Sequence, residues 1–481
     1  MKRIVNVFGK LGCGKRAYAV FALCATRAIA LPAQTFTTLF SFDGADGSDP
    51  LAGLVQATNG DFYGTTSSGG ASRAGTVFKI IPGGTLTTLY GFCSQSGCTD
   101  GQNPYAGLVQ ATNGDFYGTT NSGGANQFGT VFKITPSGTL TTPYSFCSQS
   151  GCSDGEFPPA GLVQATNGDL YGTTGAGGVY NAGTVFKITP SGALTTLYSF
   201  CSQSECMDGG NPQAGLVQAT NGDFYGTTAY SAGNLGGTVF QITPSGTLTT
   251  IYSFCSQSGC TDGLAPYGPL TQATNGDLYG TTQLGGANPG PGFGAGTIFK
   301  ITPSGTLTTL YSFCSESDCA DGQFPLAGLV QATNRDLYGT TSAGGANGHG
   351  TIFKITPSGA LTTLYGSGAS GLVQATNGDL YGTTSGGGAH GNGTIFRLSV
   401  GLGPFVETQP SSGTVGAAVN ILGTDLTGAT SVSFDGTVAV FTVVGHSLIT
   451  ATVPAGASSG EVQVVTPSGT LSSNVPFLVV P

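Results

Sequence analysis

The chain of 481 residues has no Trp, only 2 Met, only 3 His and few charges, with Asp, Glu, Lys and Arg at 8%. Helical periodicity is missing after the first thirty residues, and 83 glycines are spread along the chain. Glycine costs about 1 kcal/mol per helix position relative to Ala, so a helical protein is excluded. Disorder is not implied, because 39% apolar residues with regularly spaced aromatics can build a core. Basic residues are scarce outside the N-terminus. Lys2, Arg3, Lys10, Lys15, Arg16 and Arg27 make up six of the 14, and no acid precedes Asp43. The rest of the chain is therefore more acidic than the overall net charge of −9. Such a body repels phosphate backbones, which argues against nucleic-acid and anionic-membrane partners.

Residues 1–33 read as a secretory signal peptide, with a basic start, the apolar run Ala17–Ala25, and small-residue cleavage options at Ala28–Ala30 or Leu31–Ala33. That run is too short for the roughly 20 residues of a membrane span. Gly9–Lys15 imitates a phosphate loop, but Arg16 stands where a Ser or Thr hydroxyl would be needed, and no nucleotide fold follows. Cys24 follows Leu23, a poor neighbour for lipidation. Ten cysteines form five Cys-x4-Cys pairs: Cys93/Cys98, Cys147/Cys152, Cys201/Cys206, Cys255/Cys260 and Cys314/Cys319. Two thiolates without a nearby His are too few for a closed zinc site. Local disulfides that stiffen loops in an oxidising compartment are the expectation.

Internal repetition is the strongest signal. A unit typified by Gly53-Leu54-Val55-Gln56-Ala57-Thr58-Asn59-Gly60-Asp61-Phe62-Tyr63-Gly64-Thr65-Thr66 recurs seven times. Its Leu falls at Leu54, Leu108, Leu162, Leu216, Leu270, Leu329 and Leu372, at spacings of 54, 54, 54, 54, 59 and 43. Each unit carries four strand-like runs, in the first Leu54–Thr58, Phe62–Thr66, Thr76–Ile80 and Thr85–Phe92. Asn-Gly joins the first two as a tight hairpin turn, expected to have positive φ at both positions, and Asn334-Arg335 replaces it in the sixth unit. Pro-Ser/Gly-Gly joins the third and fourth runs.

The seventh unit lacks a fourth strand, and Thr35–Phe42 supplies the missing copy. Seven units of four strands closed by the N-terminal segment predict a seven-bladed β-propeller over 34–400, a fold that leaves no free sheet edge at its seam. From Gly403 the text changes to six or seven alternating runs, predicting an immunoglobulin-like β-sandwich over 401–481. The fold class is therefore all-β.

Two resemblances follow from these motifs. Asp-Phe/Leu-Tyr-Gly-Thr-Thr, then Gly-Gly, then Gly-Thr-Val/Ile-Phe-Lys-Ile is similar to the GloVer tandem repeat of exported bacterial proteins over about 35–400. This implies export and repetition but no activity. Pro410-Ser411-Ser412-Gly413, Val432-Ser433-Phe434-Asp435-Gly436 and Val453-Pro454 resemble the IPT/TIG family, which implies a spacer or adhesive unit. Some relatives contact DNA through this fold, but 403–481 holds no Lys or Arg, so that role is not carried over. The end, Phe477–Pro481, has no apolar span or basic tail. Release or non-covalent surface attachment is expected.

No nucleophile–base arrangement stands out. The position of Lys79, Lys133, Lys187, Lys300, Lys354 and Arg397 (Gln241 in one unit) reads as a solvent-reaching side chain or a partner of a turn Asp, with a ring of ligand-binding cations as the sharper alternative. The turn aspartates Asp61, Asp115, Asp169, Asp223, Asp277, Asp336 and Asp379 read as turn acceptors, or as Ca²⁺ ligands if they ring the channel mouth. Tyr63 and its six counterparts read as inter-blade core. The Asp-Gly-x-x-Pro segments, such as Asp100-Gly101 with Pro104, read as turns. His349 and His390, in equivalent loops, have no acidic partner in register. The variable loops Ser67–Ala74, Ala229–Gly236 and Gln283–Ala295, with the Cys loops, should converge on one face, where binding surfaces are usually carried.

The resulting expectation is a secreted or cell-surface, non-enzymatic monomer without a cofactor that binds a glycan or a cell-surface protein. The alternative is a secreted carbohydrate-active lyase or hydrolase using the variable-loop face. Purely structural surface material is a third reading.

Overall fold

A computed structural model describes residues 34–230, 236–288 and 292–480. The expected signal peptide lies outside the described residues, as do parts of the loops Ala229–Gly236 and Gln283–Ala295.

Seven antiparallel four-stranded sheets follow one another along the chain. In the first blade the strands are Val55–Gln56, Phe62–Thr66, Thr76–Ile80 and Leu86–Gly91. The innermost strand is shorter than the expected run Leu54–Thr58, because Ala57 N–H is already committed to Asp61 C=O across the turn at 2.8 Å. The seventh blade has Gly371–Gln374, Leu380–Thr384 and Thr394–Ser399, and its outer edge is completed by Thr35–Ser41. Thr35 pairs with Ser399 and Ser41 with Thr394. The fold is a β-propeller closed by its own N-terminal strand.

Closure repeats at two further levels. Seven apolar clusters lie between blades rather than within them. One joins Phe42, Leu54 and Phe62 to Tyr381 and Ile395 across the seam. There Phe62 stacks on Tyr381 with ring centroids 4.2 Å apart, as Tyr63 stacks on Phe116 at 4.1 Å inside the ring. Around the channel, each turn Thr N–H donates to the Gln side chain of the next blade. The chain of bonds runs from Thr58→Gln110 at 2.9 Å to Thr376→Gln56 at 2.9 Å, which returns to the start. Both faces of the middle strands are buried in these seams. Phe62–Thr66 is buried throughout, and Thr76–Ile80 except at Lys79.

The Asn-Gly turns differ from the expected form. Only the glycine has positive φ (Gly60 at +84°), and Gly60 N–H donates to Ala57 C=O at 2.8 Å. This is a type I turn followed by one left-handed residue. Arg335 takes that left-handed position at +67° in the sixth blade. Asn59 is there for its side chain. Its Oδ1 accepts from Asp61 N–H at 3.1 Å, and its amide donates to the Tyr63 hydroxyl at 3.2 Å.

The C-terminal part holds ten short strands. Glu407–Gln409, Ala418–Leu422, Leu448–Thr452 and Phe441–Val443 form one sheet, and Thr437–Val438, Ser431–Phe434, Val462–Thr466 and Gly469–Ser472 the other. Ser412–Thr414 pairs in parallel with Leu478–Val480. Val419, Ile421, Val432, Phe434, Ile449, Val464 and Phe477 fill the space between the sheets as one core. Among the described residues no helix is long and apolar enough to cross a membrane.

Candidate functional site

The two ends of the propeller channel are built differently. At the tight-turn end the seven turn aspartates are engaged. Lys79 Nζ lies 3.7 Å from Asp61, and Lys133, Lys187, Lys300, Lys354 and Arg397 repeat the pairing at 3.4–3.8 Å. Gln241 replaces the cation in the fourth blade and donates to Asp223 at 2.6 Å. The basic series and the acidic series are thus one set of half-exposed pairs, worth little individually. The recurrent tyrosines lie beneath them. Burial pushes the hydroxyls of Tyr63, Tyr338 and Tyr381 above the ordinary tyrosine value.

The sandwich sits on this end. Phe405 N–H donates to Thr376 C=O at 2.9 Å, Thr376 and Thr424 share a hydroxyl contact at 2.9 Å, and Ser447 Oγ donates to Thr58 C=O at 3.0 Å. It therefore rests on blades seven and one. A cleft of ≈ 690 Å³ separates it from Asn275 and Arg335 of blades five and six.

At the other end the longer links gather. Each Asp-Gly-x-x-Pro segment bridges the loop between strands two and three of its blade, as in Gln102↔Ser122 and Glu156↔Ala176. The five Cys pairs lie beside these segments: Cys93 with Cys98, Cys147 with Cys152, Cys201 with Cys206, Cys255 with Cys260, and Cys314 with Cys319. In each the Cα atoms are 4.0 Å apart and the sulfurs are at disulfide distance. The segment differs from the plain loop expected of it. The second cysteine of each pair, Cys98, Cys152, Cys206, Cys260 or Cys319, closes a three-residue 3-10 turn and adopts a left-handed φ of 48–53°. The physical reason is the short span: four intervening residues must double back to bring two sulfurs together. These cysteines therefore shape the loop and offer no free thiolate to a ligand.

In the five segments beside a Cys pair the aspartate is fully buried and four donors converge on it. Asp100 accepts from Ser94 N–H, Ser94 Oγ, Tyr90 Oη and Gln95 N–H at 2.8–3.3 Å. These aspartates brace the loops, a role that the reading of the segments as turns did not contain.

Within this bracing, one position in each of six blades projects into the channel mouth: Leu51, Tyr105, Pro159, Gln213, Tyr267 and Leu326, just before the repeated start of each inner strand. They line a cavity of ≈ 410 Å³. Leu51, Tyr105 and Leu326 are 43%, 41% and 42% exposed. The backbone around them is nearly the same in six blades, so unlike side chains converge from like positions. None is charged, and the mixture of two tyrosines, two leucines, a proline and an amide suits an uncharged ligand with apolar faces and hydrogen-bonding edges.

His349 and His390 occupy equivalent loops, and both are exposed. His349 lines a separate notch between blades six and seven. His390 stands near Asp43, whose carboxyl is lowered mainly by backbone N–H donation from Asp46 and Ala45, with a further contribution from His390. Burial, the largest influence on neighbouring Asp46, raises its carboxyl. Asp43 N–H donates to Asp46 Oδ1 at 3.0 Å and Asp46 N–H to Asp43 Oδ1 at 3.1 Å, so this pair, with His390 near Asp43, is a cluster of titratable groups on the loop face. The signal for it in the sequence is the pair Asp43-Gly44 and Asp46-Gly47, in the one Asp-Gly-x-x-Pro segment that no Cys pair precedes. Cys147, Cys152 and Glu156 form the one group of three metal-type ligands found among the described residues, but two of its members are the paired sulfurs.

The sequence matches the Gloeobacter/Verrucomicrobia repeat over residues 28–216, 152–320 and 260–438, and the IPT/TIG domain over 405–479. No curated protein matches. Similar solved structures include an oxidoreductase of proposed glucose dehydrogenase type from Thermus thermophilus (14% identity, 76% of this chain and 100% of that one, TM-score 0.39). They also include a protein of unknown function from Bacteroides thetaiotaomicron (16%, 76% and 76%, TM-score 0.40) and a candidate 6-phosphogluconolactonase from Bacteroides uniformis (16%, 69% and 89%, TM-score 0.40). At these values they carry no argument about activity.

Proposed function

The chain belongs to the Gloeobacter/Verrucomicrobia repeat family, and from that premise we propose that it is an exported, non-enzymatic binding protein that engages a glycan or a cell-surface protein through the loop face of its propeller. The repeat and the IPT/TIG domain fit a cell-surface or extracellular protein. The observation that carries the reading is the ring of unlike, uncharged side chains at the channel mouth, set in a scaffold that is otherwise uniform. The sandwich resting on the opposite end supports the same polarity, because it leaves the loop end free for a ligand.

A glycan array combined with a reducing-end release assay on the secreted protein tests this. Binding without product, weakened at least tenfold by Tyr105→Ala with Tyr267→Ala, is the expected result. Product release would favour the second reading, a secreted carbohydrate-active enzyme, for which Asp43 near His390, hydrogen-bonded with Asp46, is the supporting observation. In that case Asp46→Asn should abolish release.

A further inference from the structure

Six of the seven blade junctions are filled on the loop face by the chain's own Asp-Gly-x-x-Pro segment, and the junction between blades six and seven is not. The 43-residue spacing between Leu329 and Leu372 removes both the Cys loop and this segment. The short link 366–370 replaces them. We infer that the resulting notch of ≈ 560 Å³ is a peptide-acceptor site, which takes an extended x-Gly-x segment of a partner polypeptide in the seat that the chain's own segments fill elsewhere.

The six filled junctions define what the empty one would bind. At each, the residue after Asp-Gly exchanges two backbone hydrogen bonds with the loop of its blade, from Ser48↔Ser68 to Gln323↔Ala343, at 2.8–3.4 Å. One position earlier in that loop, Ser67 N–H donates to Asp49 C=O at 3.0 Å. Two positions later, Gly70 N–H donates to Gly44 C=O and Gly124 N–H to Cys98 C=O, both at 2.9 Å. The counterparts in blade seven are Ser385, Gly386 and Gly388, and their three N–H groups have no partner among the described residues.

The steric imprint is equally specific. A Cβ on Gly69, Gly123, Gly177, Gly285 or Gly344 would come within 2.5–2.9 Å of the bound segment's backbone. The counterpart Gly387 has nothing within 4 Å. The paired threonines beneath the seat are 0% exposed at Thr66/Thr76 and Thr120/Thr130, but Thr384 and Thr394 are 7% and 6% exposed. In the first blade Thr76 Oγ1 donates to Asp46 C=O at 3.1 Å, whereas Thr394 Oγ1 contacts only Thr384 Oγ1 at 2.8 Å. The seat keeps its loop and its hydroxyls and lacks the peptide.

The link limits what can enter. At a filled junction Pro104 packs against Gly75 and Asn103 N–H donates to Ala74 C=O, whereas Gly350 meets Gly368 and Gly368 N–H donates to His349 C=O in blade six. The seats of the proline and of the residue before it are therefore taken, and because the Ser94 and Gln95 donors that hold Asp100 belong to the Cys loop missing here, the acceptor reads x-Gly-x. Glycine is demanded at the middle position, because Gly101 has φ +98° and a Cβ there would overlap the Thr120 hydroxyl. Leu51 and Leu326 flank the opening, so residues beyond the tripeptide meet apolar side chains. This mode is backbone pairing to an exposed edge, with specificity from a glycine-only position.

The test uses the full chain and a fluorescent, end-blocked peptide, Ser-Thr-Asp-Gly-Gln, copied from residues 98–102 with serine in place of the cysteine, so that it carries the carbonyl that meets Gly124 at a filled junction. Anisotropy should show saturable 1:1 binding. Replacing the peptide glycine by alanine should weaken it at least tenfold. Gly387→Ala in the protein should do the same, and Gly391→Ala, which carries the same left-handed strain at φ +78° in open space, should lower the melt equally without weakening binding. Tyr105→Ala, which tests the channel mouth, should leave peptide binding unchanged, so the two sites fail separately. No saturable binding up to millimolar peptide, or equal binding of the glycine and alanine peptides, would overturn the inference.

Discussion

The two faces of the propeller are made from the same seven repeats, yet they have diverged to different extents. On the tight-turn face all seven blades keep the turn Asn and Asp, six keep the Gly, six keep the cation, and every blade takes part in the Thr–Gln ring. On the loop face the junctions differ in cysteines, in length and in the residue aimed at the channel, and one is missing its segment altogether. Uniformity follows a shared task, because each turn must fit the next blade and the sandwich must find a level seat. Divergence is tolerated where the backbone is braced from below. The buried aspartates supply that brace, so side chains above them can change without moving the loop.

The sharpest way to break the comparison is to remove what both faces share. Starting the chain at Asp43 deletes Thr35–Ser41, the stack of Phe36 on Tyr365 of blade six and the contact of Phe42 with Phe78 across the seam. Loss of more than about 5 kcal/mol, or of a cooperative transition altogether, is expected in urea unfolding, since single large core truncations cost about 3–5 kcal/mol. The next contrast sets one aspartate against another. Asp208→Ala strands the donors Tyr198, Ser202 and Gln203 in a buried loop and should cost about 3 kcal/mol. Asp115→Ala, which breaks an ion pair at the tight turn, should cost less than about 1 kcal/mol. Equal costs would erase the proposed division between bracing and surface aspartates.

Glycines give a third contrast. A Cβ on Gly118 would meet Phe132 Cζ at 2.6 Å and Leu108 Cδ2 at 2.9 Å, so Gly118→Ala should cost about 2 kcal/mol by overpacking. Gly114, at φ +86° with nothing within 4 Å, should cost only about 1 kcal/mol as alanine. The mildest probe is alkali. Burial raises the hydroxyls of Tyr144, Tyr198 and Tyr311, beside the bracing aspartates, to about 12 from an ordinary 10. The fold favours their neutral form. Their contribution is therefore complete below pH 10 and is lost as pH rises towards 12. A loop-face melting step confined to that window, absent in the matching Tyr→Phe variants, is the expected calorimetric result.

The repeat, its count and the donated strand were legible because Leu54 and Thr35–Phe42 have copies to be matched against. What copies could not reveal was how a turn is held. Asn59 looked like a residue chosen for backbone conformation, but it serves through its amide, which only the position of Tyr63 makes visible. The innermost run Leu54–Thr58 read as a full strand because strand-favouring residues such as Val55 and Thr58 stand in it, although the turn claims Ala57 first. The pairing of Lys79 with Asp61 was among the readings of that position, since a long basic side chain recurs in step with a turn Asp. The channel-mouth ring was not identified, although Leu51, Tyr105, Pro159, Gln213, Tyr267 and Leu326 align in the text. Their importance depends on where the backbone carries them. The 43-residue spacing was visible, but the void it leaves needs six filled neighbours for comparison.

The donated strand sets an order of events in time. Thr35–Ser41 is made before any blade, yet its partner Thr394–Ser399 is made after all the others. The earliest strand off the ribosome must stay unpaired until the circle behind it is nearly whole. A chain interrupted before its seventh repeat would carry an adhesive edge at each end, and the finished molecule carries neither.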